Sequence, residues 1–147
     1  MGGTPQKERL TDQLLEQLLA SATPEAYLIG SGIVDRSLTD YLNQLLAEKE
    51  LKKSQVIRAS GVNPTFCYQI FSGARRPNRD TAIKLAFGLG CSLIETQRLL
   101  RTAGHSELWC KIPRDAIIIF AIEHGYTREQ ADDDLYRLGE ETLLGDE

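Results

Sequence analysis

The stretch Lys53 to Gly73, KSQVIRASGVNPTFCYQIFSG, reads as two short helices joined by a tight turn. The first runs from Lys53 to Ser60. Gly61 follows where the chain must leave it, since glycine enters the left-handed region at little cost. Asn63 offers a side-chain acceptor to open the second helix, and Pro64 suits its first position, where no amide hydrogen is needed. At ~100° per residue, Phe66, Cys67, Ile70 and Phe71 fall on one side of that helix. Thr65, Tyr68, Gln69 and Ser72 fall on the other. A short helix with an apolar back and a hydrogen-bonding front suits the DNA major groove.

From Lys53 to Thr96 the chain resembles the helix-turn-helix domain of Cro/C1-type (XRE-like) transcriptional regulators, a lambda-repressor-like fold. The resemblance rests on an ordered set: Val56-Ile57, Gly61-Val62, Cys67, Ile70, Ser72 to Pro77, Leu85-Ala86, and Leu89 to Leu93. Three positions depart from the family pattern. Ile57 stands where a small residue is usual and Ser60 where a large apolar one is usual, a paired change that conserves volume. Pro64 replaces a position that is often a polar contact, which narrows direct readout.

The resemblance implies double-stranded DNA as partner, with residues 64–72 as recognition helix. Thr65, Tyr68 and Gln69 are then the base-edge candidates: Gln pairs in a bidentate way with adenine, and Thr meets a thymine methyl. Lys53, Ser72, Arg75 and Arg76 flank the helix and are placed for phosphates, which fix orientation. Asn63, at the helix mouth, joins this set, and Arg79 and Lys84 add to the basic field. Without the motif, the arginines would read as a solvated loop.

Outward from the motif, Ser37 with Asp40 resembles a capping box ahead of Leu38, Tyr41, Leu42, Leu45 and Leu46, a helix ending near Glu50. After the Arg75-Arg76 loop, Asn78 caps a helix whose Ala82, Leu85, Ala86 and Leu89 form one apolar stripe, stopped by Gly90. Ser92 with Glu95 caps a fifth helix, ending before Gly104. Residues 36–103 thus form a five-helix DNA-binding domain. Residues 1–35 are an N-terminal helical extension. Its beginning is polar, Leu14, Leu15, Leu18 and Leu19 repeat at helical spacing, and a short turn follows Pro24 before Gly30-Ser31-Gly32. Residues 104–147 are a C-terminal helical extension packed on the domain. In it, Pro113 opens a helix apolar all round from Ala116 to Ile122, which predicts burial. Thr127 with Gln130 caps a last helix bearing Ala131, Leu135 and Leu138. Arg114 to Ile119, after Ala103-Gly104 and an aromatic segment, also resembles an extension of some such repressors. No strand pattern occurs, so the chain reads as all-α.

The 147 residues carry a net charge of −4, unevenly spread. Between Arg36 and Arg101 eleven Lys/Arg face five Asp/Glu, so basic charge gathers where the motif lies. The acidic ends read as solvated surface. Three widely spaced cysteines, Cys67, Cys91 and Cys110, fit buried thiols in a reducing cytosol better than disulfides or zinc. No membrane-spanning run or signal segment is evident, which predicts a soluble, cytoplasmic protein.

Catalysis needs converging groups, and these are scarce. His105 and His124 are far apart and read as surface or capping residues, and consecutive Asp132, Asp133 and Asp134 fan out around a helix. No phosphate-binding glycine loop or nucleophile elbow occurs, so the chain is not expected to be an enzyme or to need a metal or cofactor. The expectation is a DNA-binding regulator, a repressor acting as a homodimer on an inverted repeat, its dimer contact on the helix around Leu14 to Leu19 or after Gly104. The alternative is a protein-interaction adaptor that keeps the fold without tight DNA binding, with Phe66 and Trp109 as exposed apolar contacts and a protein partner reached through the terminal helices.

Overall fold

The computed structural model describes residues 11–30 and 38–144, and among them the chain forms nine α-helices and no strand. They are α1 (Thr11–Ala20), α2 (Pro24–Gly30), α3 (Leu38–Glu48), α4 (Lys53–Ser60), α5 (Pro64–Ser72), α6 (Arg79–Gly88), α7 (Leu93–Thr102), α8 (Pro113–Glu123) and α9 (Arg128–Arg137). The all-α class expected from periodicity holds. No described helix is long and apolar enough to cross a membrane. The chain divides into two compact units, Met1–Arg36 and Ser37–Glu147. Within the first, α1 packs on α2, and Leu15, Leu18 and Leu19 remain exposed. The polar beginning, the Ser31-Gly32 link and the proposed Ser37 cap lie outside the described residues.

In the second unit, local chemistry sets most helix ends. Asn78 Oδ1 accepts from the Thr81 amide at 2.8 Å. Ser92 with Glu95 and Thr127 with Gln130 form reciprocal capping boxes. The helix after Leu38 ends at Glu48, with Lys49 and Glu50 in a turn where Glu50 takes φ 53°.

Two apolar clusters share the middle helices. The first joins α3, α4, α5 and one side of α6 and α7; the second joins Ala82, Ile83 and Leu100 to Leu108, Ile118, Leu135 and Leu143. Because α6 serves both, it is buried on nearly every side from Thr81 to Ala86, not along one stripe. Helix α8 departs in the opposite sense. Although apolar all round, it buries only Ile118 and Ala121 among its apolar residues, and Phe120 is 49% exposed. Leu138, expected on a packed face, is likewise exposed.

The α4–α6 crossing explains the Ser60 departure. Ser60 is fully buried, and a Cβ on Gly88 would come within 2.8 Å of both Ser60 Cβ and the Val56 carbonyl oxygen. Backbones this close leave no room for a large side chain at position 60. Ile57 is half-buried and packs at the edge of the first cluster.

Charged pairs fasten α8 to α6. Arg79 binds Asp115 through two hydrogen bonds, and Arg114 binds Asp80 likewise. Gln97 holds the Leu108 backbone through both its amide and its carbonyl. Buried Asp132 accepts from Arg128 and from the Leu143 and Leu144 amides. Two residues of the acidic C-terminal end, Asp115 and Asp132, are therefore structural and not solvated surface.

Candidate nucleic-acid interface

Helix α4 starts with the Lys52 amide donating to Gln55 Oε1 at 2.7 Å and ends at Gly61, φ 78°. The turn is held from inside, where buried Val62 donates its amide to Ser60 Oγ at 3.2 Å. Gly61 is constrained twice. Its φ favours glycine, and a Cβ there would sit 3.1 Å from both Arg128 Nε and Leu144 Cδ1. Asn63 Oδ1 accepts from the Phe66 amide at 3.1 Å and Pro64 occupies the first turn, as the sequence implied.

Burial sorts α5 as its periodicity predicts. Cys67, Ile70 and Phe71 are buried, whereas Thr65, Tyr68 and Ser72 are exposed. Phe66 is half-buried beside the first cluster, a correction to its reading as an exposed apolar contact. Gln69 is also half-buried. From α3, Asn43 Nδ2 donates to the Phe71 carbonyl at 3.2 Å, tying down the end of α5. Burial pushes the Cys67 thiol up to about 11 despite the nearby Lys53 ammonium, which marks it as core rather than nucleophile.

The expected phosphate contacts differ in how they are held. Lys53 Nζ lies 5.8 Å from the Phe71 ring centroid, and the Arg75 guanidinium lies 5.8 Å from that of Phe66. The two cations thus stand over aromatic rings of α5. Arg76 is exposed but donates from Nη2 to the Ala103 carbonyl at 3.3 Å, resting on the end of α7. Ser72 Oγ donates to the Gln69 carbonyl at 3.0 Å, leaving its oxygen lone pairs outward. Asn63 uses its side-chain oxygen as a cap, and its amide group stays exposed.

Arg79 and Lys84 do not belong to this face. Arg79 is committed to Asp115 and to the Ser106 and Glu107 carbonyls, and Lys84 is 1% exposed. Conversely, exposed Lys52 and Arg58 were not singled out from the sequence. The signal for them was an absence: from Leu51 to Arg79 the chain has six Lys/Arg and no Asp or Glu.

Among the described residues, no three His, Cys, Asp or Glu side chains group to hold a metal ion. His105 Nε2 lies 2.9 Å from the Pro77 carbonyl, and His124 stacks on Phe120 at 3.8 Å, so each is engaged locally. No family model, curated protein or solved structure matches the chain.

Proposed function

We propose that the protein is a sequence-specific double-stranded DNA-binding transcriptional regulator, a repressor of Cro/C1 type that sets α5 into the major groove. What carries this reading is the exposed front of α5, Thr65, Tyr68 and Ser72 with Gln69 at its edge, on a helix whose back is buried. Thr65 and Gln69 supply groups that read base edges, with Tyr68 beside them. Lys53, Arg75 and Arg76 supply positive charge on both flanks, where phosphates run, and Asn63 and Ser72 add neutral contacts. The absence of acidic residues from Leu51 to Arg79 lets this local field act although the whole chain is acidic.

A single short helix reads few base pairs, so the regulator works as a homodimer on half-sites about one DNA turn, ~34 Å, apart. The same reading places it in the cytoplasm. Selection from a random duplex library with the purified full chain tests it, and recovery of one palindromic motif is the expected result. No enrichment at low salt would favour the adaptor reading, for which exposed Trp109 is the leading contact.

A further inference from the structure

Where α4, the end of α6 and the start of α9 converge, the fold leaves an open cleft of about 600 Å³. Phe87 and Tyr126, both half-buried, give it apolar walls, and Arg58, Arg128 and Glu129 bring charge. Apolar walls with a few converging polar groups, in a volume of this size, are the features of a small-molecule site.

Its polar groups are donors short of acceptors. Arg128 is 7% exposed, and its Nη1 donates to Asp132 Oδ2 at 2.7 Å. Its Nε is buried with no hydrogen-bond partner, and its Nη2 lies 3.7 Å from the Glu129 carboxylate, outside hydrogen-bond range. Asp132 cannot make up the difference, because it also accepts the Leu143 and Leu144 amides. A buried donor left in this way is uncommon and calls for an acceptor. Arg58, exposed on α4, has no acid or acceptor among the described residues. At the first turn of α9, Thr127 Oγ1 takes the Gln130 amide, which leaves the Arg128 and Glu129 amides with no acceptor inside the helix. Two arginines and a helix start thus line one cleft, an arrangement for an anion.

Charge and shape set its class. Asp132 offsets Arg128 from behind, and Glu129, 62% exposed, is free to turn to water. That leaves room for one negative charge and not two. A carboxylate matches the planar fork of a guanidinium, and Phe87 and Tyr126 suit a flat apolar body. We propose that the cleft binds a small aromatic monocarboxylate as an effector, and that Arg128 passes its presence to the α4–α5 turn. Arg128 Nε packs against Gly61, where an added Cβ would lie 3.1 Å from it. The effector role rests on the DNA-binding reading, whereas the binding does not, so the test needs no DNA.

The test is calorimetric titration of the full chain with naphthoate, and with naphthalenemethanol, acetate and naphthyl phosphate as controls. Naphthoate is expected to saturate one site per chain and to bind at least tenfold more tightly than each control. Arg58→Gln and Tyr126→Ala, at exposed and half-buried positions, should each weaken it by about tenfold, the scale of one charge-assisted hydrogen bond. Glu129→Gln should tighten it several-fold, a gain that damage to the fold would not produce. In amide NMR spectra, the Gly61 and Gly125 signals should move together as the site fills. In Arg128→Lys, Gly125 should still move and Gly61 should not. No saturable naphthoate binding overturns the proposal, as does equal binding of the alcohol or tighter binding of the phosphate. Affinity unchanged in both Arg58→Gln and Tyr126→Ala would place the ligand elsewhere, and a Gly61 signal that stays still would remove the link to the turn.

Discussion

Arg79 and Asp115, 36 residues apart, meet through two parallel hydrogen bonds of 3.2 and 2.9 Å at the first turns of α6 and α8. Their neighbours Asp80 and Arg114 pair in the reverse sense at 2.9 and 3.0 Å. This crossed double pair fastens α8 to the helix that both apolar clusters share, and it withdraws Arg79 from the candidate DNA contacts.

The two halves of that crossing should differ in weight. The Asp115 side chain is 2% exposed and also accepts from the Trp109 amide, while that of Asp80 is 36% exposed. Asp115→Ala leaves Arg79 with two unmet donors in a mostly buried setting and should cost about 3 kcal/mol. Asp80→Ala should cost less, about 1–2 kcal/mol, because its carboxylate is already part-hydrated and Arg114, 17% exposed, keeps the Glu141 and Thr142 carbonyls as acceptors. Urea unfolding of both variants measures the difference; equal losses would mean that burial does not set the ranking.

At the α4–α6 crossing the limit is space. Ser60→Leu, which would restore the large residue usual in the resembled family, should destabilise by about 2–3 kcal/mol because Gly88 leaves no volume for it. Gly88→Ala should act in the same direction. Thermal melting checks both, and a stabilised Ser60→Leu would show that the crossing has room to open.

Electrostatic grip should separate from stability. Arg75→Ala and Arg76→Ala should each weaken binding to all duplexes and lower the salt slope by up to about one unit for each phosphate no longer neutralised. Lys84→Met should leave the slope unchanged, since that side chain is buried. Titrations at several salt concentrations decide, and an unchanged slope in the Arg75/Arg76 double variant would return both side chains to solvent.

Base readout should concentrate at Gln69. In Gln69→Ala, preference should relax at one base pair of each half-site by ~1–3 kcal/mol, with salt slope and non-specific affinity nearly unchanged. Repeating the duplex selection with this variant provides the measurement. The same consensus with undiminished discrimination would remove Gln69 from the reading face.

The thiols should divide by burial. Burial raises Cys67 to about 11, and burial followed by the Glu95 charge raises Cys91 to about 12, so both stay protonated near pH 8. Cys110 is exposed. Iodoacetamide at that pH should add one label to the folded protein and three after denaturation, counted by mass spectrometry. Labelling of Cys67 in the folded protein would argue that α5 opens.

Where the helices begin and end was legible in the sequence because capping is local. Asn63, Asn78, Ser92 and Thr127 each bond an amide three residues on, and Gly61 and Gly73 turn the chain where their freedom of φ is needed. The two-sided character of α5 followed from periodicity for the same reason. Periodicity reports which face of a helix is apolar, however, and not how many neighbours press on it. Only the tertiary structure made α6 central to two clusters and left apolar α8 half uncovered. Only contacts across tens of residues made Ser60 a match for Gly88 and turned Arg79, Asp115 and Asp132 into internal fastenings. A charged side chain's role depends on what lies opposite it, and that partner is set by packing.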